Sequence, residues 1–159
     1  MIEKFVTRNG DGMYEPVYWW PVPGAGQLDP AVPVNISGAY DEGVRCLAVR
    51  APRAAAVMFR SMLAFVVGDK GSQQAQAVRG LKGRLKRMAT DGDLHPSIAA
   101  WAESIRVLGD GGAHPDELPE PTQEEAENLA RLCRRLIEVT YEIEARITRQ
   151  RGAQTPATP

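Results

Sequence analysis

Pro52-Arg53-Ala54-Ala55-Ala56-Val57-Met58-Phe59-Arg60-Ser61-Met62-Leu63-Ala64-Phe65-Val66-Val67 decides the fold class. Pro52 suits the first turn of a helix, where its missing N–H is no loss and its fixed φ is already helical. The apolar residues Val57, Met58, Met62, Leu63, Phe65 and Val66 cover more than one face, which is wider than the single stripe of a surface helix. The pattern predicts a helix from Pro52 to about Val67 at the centre of a helical bundle, ended by Gly68 and Gly71. Arg60 and Ser61 interrupt the apolar run, and it is too short to span a bilayer.

Helical periodicity continues outward from this segment. Ile36, Tyr40, Val44 and Leu47 follow i, i+4, i+8, i+11 and predict an amphipathic first helix. Ala75, Val78, Leu81, Leu85 and Met88 predict one third helix, with Arg79, Lys82, Lys86 and Arg87 turned outward. Asp91-Gly92-Asp93 breaks it. Pro96 opens a fourth helix bearing Ile98, Trp101, Ala102, Ile105 and Leu108, with Gly109 as its left-handed cap. Thr122-Gln123-Glu124-Glu125 has the form of a capping box. It opens a long last helix whose apolar stripe is Leu129, Leu132, Leu136, Ile143 and Ile147. The expected fold is all-α, an antiparallel helical bundle of about five helices over residues 34–151. Gly152–Pro159 reads as a disordered tail.

Residues 1–33 form a separate N-terminal arm. Lys4–Thr7 and Met13–Trp20 flank Asn9-Gly10-Asp11-Gly12, the composition of a short β-hairpin turn. Pro21, Pro23, Gly24, Gly26, Pro30 and Pro33 then favour extended chain. Tyr14, Tyr18, Trp19 and Trp20 admit two readings, aromatic packing across the helices or base stacking. Burial preference favours the first, and no RNP-like spacing supports the second.

The chain has 159 residues, 43% hydrophobic and 25% charged, with a formal net charge of -1. One soluble, cytoplasmic domain is the expectation, since Met1-Ile2-Glu3-Lys4 lacks a signal-peptide apolar region. The near-zero charge speaks against generic polyanion binding, but charge is unevenly placed. Arg79, Lys82, Arg84, Lys86 and Arg87 cluster without an intervening acid, while Asp116, Glu117, Glu120, Glu124, Glu125 and Glu127 cluster without a base. The basic face is either solvated or phosphate-binding, and the first is the commoner use of such a face. Cys46 and Cys133 have no Cys-x-x-Cys spacing, so no metal site, cofactor or redox motif is expected. Two buried thiols are favoured over one disulfide.

Ile105-Arg106-Val107-Leu108-Gly109-Asp110-Gly111-Gly112-Ala113-His114-Pro115 carries the candidate chemistry. Asp110 and His114 are spaced i, i+4, and Arg106 stands four residues before Asp110, so a helical turn would put all three on one face. A carboxylate beside an imidazole fixes its tautomer and raises its basicity. An arginine there would neutralise a phosphate. Together they suit metal-independent RNA cleavage, in which a base activates the ribose 2′-hydroxyl. The structural alternative is that Pro115 holds His114 out of the α region and Asp110 bonds backbone amides in a glycine turn.

These segments together resemble a widespread prokaryotic and phage domain of unknown function placed in the HEPN-like (higher eukaryotes and prokaryotes nucleotide-binding) helical superfamily. The resemblance rests on Ala39–Leu47, Pro52–Leu63, Gly92-Asp93-Leu94-His95-Pro96, Ile105–Pro115 and the helix start Thr122–Ala126, and covers residues 35–147. It implies an antiparallel bundle that dimerises with two motif-bearing helices face to face. HEPN ribonucleases carry an arginine, a polar residue, three variable residues and a histidine. Asp110 and His114 match the last two roles, while Gly109 stands where the arginine would be. The stretch is similar to a Gly-Asn-x-x-Ala-His pattern with Asp110 in place of asparagine. Arg60 stands in the family's central-helix arginine position, with Ala64 where an acid usually follows.

The resemblance therefore implies a homodimeric, nucleic-acid-associated or defence-linked module with a degenerate ribonuclease motif. RNA is the implied partner, with no membrane or metal partner. The alternatives are an active RNA endonuclease using His114, Asp110 and Arg106 or Arg60, and a non-catalytic protein-interaction domain. Arg79, Lys82, Lys86 and Arg87 are the candidate nucleic-acid-binding residues.

Overall fold

A computed structural model describes residues 3–8, 14–20, 28–105 and 120–153, the strand residues and Ala153 by their backbone alone. In the arm, backbone strand β1 (Glu3–Arg8) pairs antiparallel with β2 (Tyr14–Trp20), Glu3 opposite Trp20 and Arg8 opposite Tyr14. Everything described after residue 33 in regular structure is helical. The helices are α1 (Val34–Ala48), α2 (Pro52–Lys70), α3 (Gln73–Ala77), α4 (Leu81–Asp91), α5 (Pro96–Ser104), α6 (Gln123–Ile137) and α7 (Ile143–Ala153). A π turn, Glu138–Glu142, joins α6 to α7. Its flanking residues Ile137 and Ile143 keep right-handed helical angles, so α6, the π turn and α7 form one continuous rod. None of the described helices is long and apolar enough to cross a membrane.

Local chemistry sets most helix starts. Pro52 and Pro96 stand in the first turns of α2 and α5. At α6, Thr122 Oγ1 accepts from Glu125 N at 3.2 Å and the Glu125 carboxylate accepts from Thr122 N at 2.8 Å, a complete capping box. The tight α1–α2 connection holds Arg50 at φ 56, a left-handed residue whose chain closes through Ala51 N to Cys46 O at 2.9 Å.

α2 is the centre of the bundle, packed against α1, α3, α4 and α6. It contributes Ala55, Phe59, Met62, Leu63 and Val66 to a core completed by Ile36 from α1, Leu85 and Met88 from α4, and Leu129, Leu132 and Leu136 from α6. The predicted wrap-around burial of α2 is incomplete. Val57 and Phe65 remain 56% and 41% exposed on its outer side.

Three helix readings are corrected. The expected third helix is two, because Val78 is extended and Gly80 takes φ 77, a backbone that glycine adopts without strain. The Arg84 Nε–H donates to Val78 O at 2.8 Å and holds the break.

The fourth helix does not run to Leu108; α5 ends at Ser104, and the buried Ile105 is extended. Its last carbonyls are satisfied without another turn. Trp101 O accepts from Ser104 Oγ at 2.7 Å, Ala102 O from Ile105 N at 3.2 Å, and Glu103 O from Lys82 Nζ at 2.8 Å.

The third correction concerns the last helix, where Ile143 and Ile147 do not continue the buried stripe. They are 39% and 43% exposed, while Tyr141 and Glu142 face inward.

Candidate functional site

Arg60 sits in the third turn of α2 and lines a shallow cleft of about 310 Å³ against α4, together with Val57, Ser61, Ala64, Leu81 and Arg84. Helical spacing on α2 brings Val57, Arg60, Ser61 and Ala64 to one side. The α3–α4 break delivers Arg84 to the opposite wall, its Nε tied to Val78 O. Two guanidinium side chains therefore share one open cleft. Planar forks of this kind suit phosphate oxygens.

The other predicted basic residues divide. Arg79 and Lys86 are exposed. Lys82 is spent on the Glu103 carbonyl. Arg87 pairs with Asp91, Nε to Oδ1 at 2.7 Å, and Asp91 Oδ2 accepts from Ser72 Oγ at 2.6 Å. The Ser72 hydroxyl and then Arg87 hold the Asp91 carboxyl below its ordinary range. Asp91 thus fastens the end of α4 to the start of α3, and the exposed Arg87 braces it from one turn earlier.

Arg106, Gly109, Asp110 and His114 lie outside the described residues. The flanks of that segment are placed. Glu103, at the end of α5, is bound by Lys82 of α4, and Glu120 pairs with Arg53 of α2 at 3.2 Å. The chain leaves beside α4 and returns beside α2, the two helices that form the Arg60–Arg84 cleft.

A second cleft, of about 540 Å³, runs between the start of α5 and the π turn; Lys70, Asp93, His95, Ser97, Arg135 and Thr140 are among its walls. His95 caps α5, its Nδ1 accepting from Ser97 N at 3.2 Å and lying 2.7 Å from Ser97 Oγ. That bonding leaves the ring proton of a neutral His95 on Nε2. Across the cleft, Arg135 donates to Glu138 at 2.8 Å. The Lys70 ammonium stands 5.1 Å from the Tyr141 ring centre, and Tyr141 OH donates to Asp69 Oδ2 at 2.8 Å. Burial, followed by the Asp69 carboxylate, pushes the Tyr141 phenol up.

Periodicity gives no signal for this cleft, because the π turn that forms one wall runs against the apolar pattern. Among the described residues no group of three histidine, cysteine or acidic side chains is arranged to hold a metal ion. Cys46 and the buried Cys133 are free thiols.

A family model matches residues 41–152, from the middle of α1 to the end of α7. The chain belongs to DUF4145, a domain-of-unknown-function family. No curated protein matches it, and no solved structure does. The DUF4145 match includes both clefts and the whole Ile105–Pro115 segment, and leaves out residues 1–40.

Proposed function

We propose that this DUF4145 chain is a HEPN-like, homodimeric helical module that works in contact with nucleic acid in a defence-linked setting, with residues 105–115 a degenerate form of a ribonuclease motif. In this reading residues 1–33 are an accessory arm and residues 34–151 the working domain. The observation that carries it is the sharing of one open cleft by Arg60 and Arg84, beside the exposed Arg79 and Lys86. A half-buried arginine pair opening onto a cleft next to a basic helix face can meet a phosphate backbone without needing base contacts.

Fluorescence anisotropy with labelled single-stranded RNA tests this. Binding should weaken steeply with salt. Arg79→Gln, Arg84→Gln and Lys86→Gln together should lower affinity and flatten the log Kd–log salt slope by roughly 0.7 per lost phosphate contact. A slope equal to that of the unmodified protein overturns the interface.

The second reading is metal-independent RNA cleavage with His114 as acid/base, Asp110 orienting it, and Arg60 or Arg106 clamping phosphate. The contacts of Glu103 with α4 and of Glu120 with α2, the two helices that line the Arg60 cleft, favour it. Labelled RNA incubated in EDTA should be cut by the unmodified chain and spared by His114→Ala. Equal products from the two proteins dismiss it. The exposed Val57 and Phe65 on α2 support the non-catalytic alternative, a protein-contact surface.

A further inference from the structure

Among the described residues α7 has little to pack on. From Ile143 to Gly152 its side chains are exposed except the half-buried Ala145, and its packing is chiefly on the π turn before it. A helix of 11 residues is below the length, about 12–15, at which even helix-favouring sequences are marginal in water. Ile143, Ile147 and Gln150 follow i, i+4, i+7 and share one face, on which the two isoleucines are 39% and 43% exposed.

The β1–β2 hairpin has the same deficit. Two strands alone are marginal in water and need a further strand or a helix to pack on. Their sheet has no third strand among the described residues. The sequence gives β1 Phe5 and Val6, and β2 Val17, Tyr18, Trp19 and Trp20.

Connectivity brings these two elements together. Leu28 packs against the core, and the Asp29 carboxylate receives both Nη groups of Arg149, one at 3.1 Å. Asp29 N also donates to Glu142 Oε1 at 3.3 Å. The arm is therefore tied to the flank of α7. Arg149 stands about 200° around the axis from Ile147, so the Ile143–Ile147 face lies on the other side of the helix. Halfway round a helix about 10–12 Å across is a path of roughly 17 Å. Residues 21–27 can span roughly 25 Å, which is enough. Charge agrees, since residues 9–29 hold Asp11, Glu15 and Asp29 without a base, while α7 has Arg146, Arg149 and Arg151 against Glu144. So short a tether keeps the hairpin near α7 at an effective concentration of about millimolar. A second copy of the chain at micromolar concentration competes poorly against that.

We propose that the β1–β2 hairpin of the same chain docks on the Ile143–Ile147 face of α7 and that its apolar and aromatic residues cover the two isoleucines. Each element then supplies the packing that the other lacks. The docking does not depend on the nucleic-acid reading, and it commits Tyr18, Trp19 and Trp20 to packing rather than to base stacking.

Thiol labelling of full-length protein with Cys46→Ala tests this. Ile147→Cys should label about tenfold more slowly than Thr148→Cys, an exposed neighbour on another side of α7. The ratio should not change with protein concentration. Trp19→Ser and Trp20→Ser together should bring the two rates level, with the buried Cys133 silent as the sign that the bundle is folded. Equal rates at the two positions in protein with an unaltered arm overturn the docking, and that comparison decides even if the arm variant unfolds. Protection of Ile147→Cys that grows with concentration gives the face to a second copy and overturns it too. So does protection that survives the tryptophan substitutions.

Discussion

Gly43 shows how closely a single residue is constrained. It lies on α1 where that helix crosses α2, and a Cβ built there would stand 2.5 Å from the Phe59 ring. Phe59 is fully buried and packs on Tyr40 with ring centres 5.8 Å apart, so the ring has no space into which to withdraw. Gly43→Ala should destabilise the domain by about 1–3 kcal/mol through overpacking. The check is a lower urea midpoint with an unchanged m-value; a midpoint equal to that of the unmodified chain would mean that the α1–α2 crossing is looser than described. Nothing local signals this constraint, since a helical glycine looks alike in sequence whether it faces solvent or a ring.

At the scale of elements, the start of α6 was legible and its far end was not. Thr122 and Glu125 satisfy each other's backbone amides, a local arrangement that four residues are enough to encode. Thr122→Ala should lower stability by about 1 kcal/mol, and Thr122→Ser should restore most of it. Thermal melting of the two variants measures this, and equal melting of alanine and threonine forms would leave the cap without a role. Beyond Ile137, periodicity predicted Ile143 and Ile147 inward, and the π turn reversed that. The division of the third helix and the early stop of α5 have the same origin. Each depends on a bond from a residue distant in sequence or on the far side of a turn, Arg84 to Val78 and Lys82 to Glu103.

Across the whole molecule, stability should fall in acid for a definable reason. The Arg149 guanidinium first, then the Ala31 amide, hold the Asp29 carboxyl down from its ordinary 3.8 to about 2. Ser72 does the same in direction for Asp91, as does Arg135 for Glu138. A carboxyl lowered by folding stabilises the native state above its unfolded value, and that contribution disappears as pH falls through the folded value. For Asp29 the loss falls between about pH 4 and pH 2. The melting temperature should therefore drop across this window, and Asp29→Asn should show a smaller drop. An identical pH profile for the two would remove the Asp29–Arg149 pair from the account.

The sequence by itself determined that the chain is helical, that α2 lies at the centre, and where proline and threonine start three of the helices. These are properties of local periodicity and of backbone groups satisfied within one turn. It also marked Arg60 and the basic run around α4 as candidates, and the tertiary structure decided which of those residues share a cleft and which are spent on internal bonds. Only the tertiary structure revealed the register of α7, because burying Glu142 requires Asp29, 113 positions earlier in the chain, to meet it. Apolar spacing records which face of a helix is greasy; it does not record a partner that outbids that face from elsewhere in the fold.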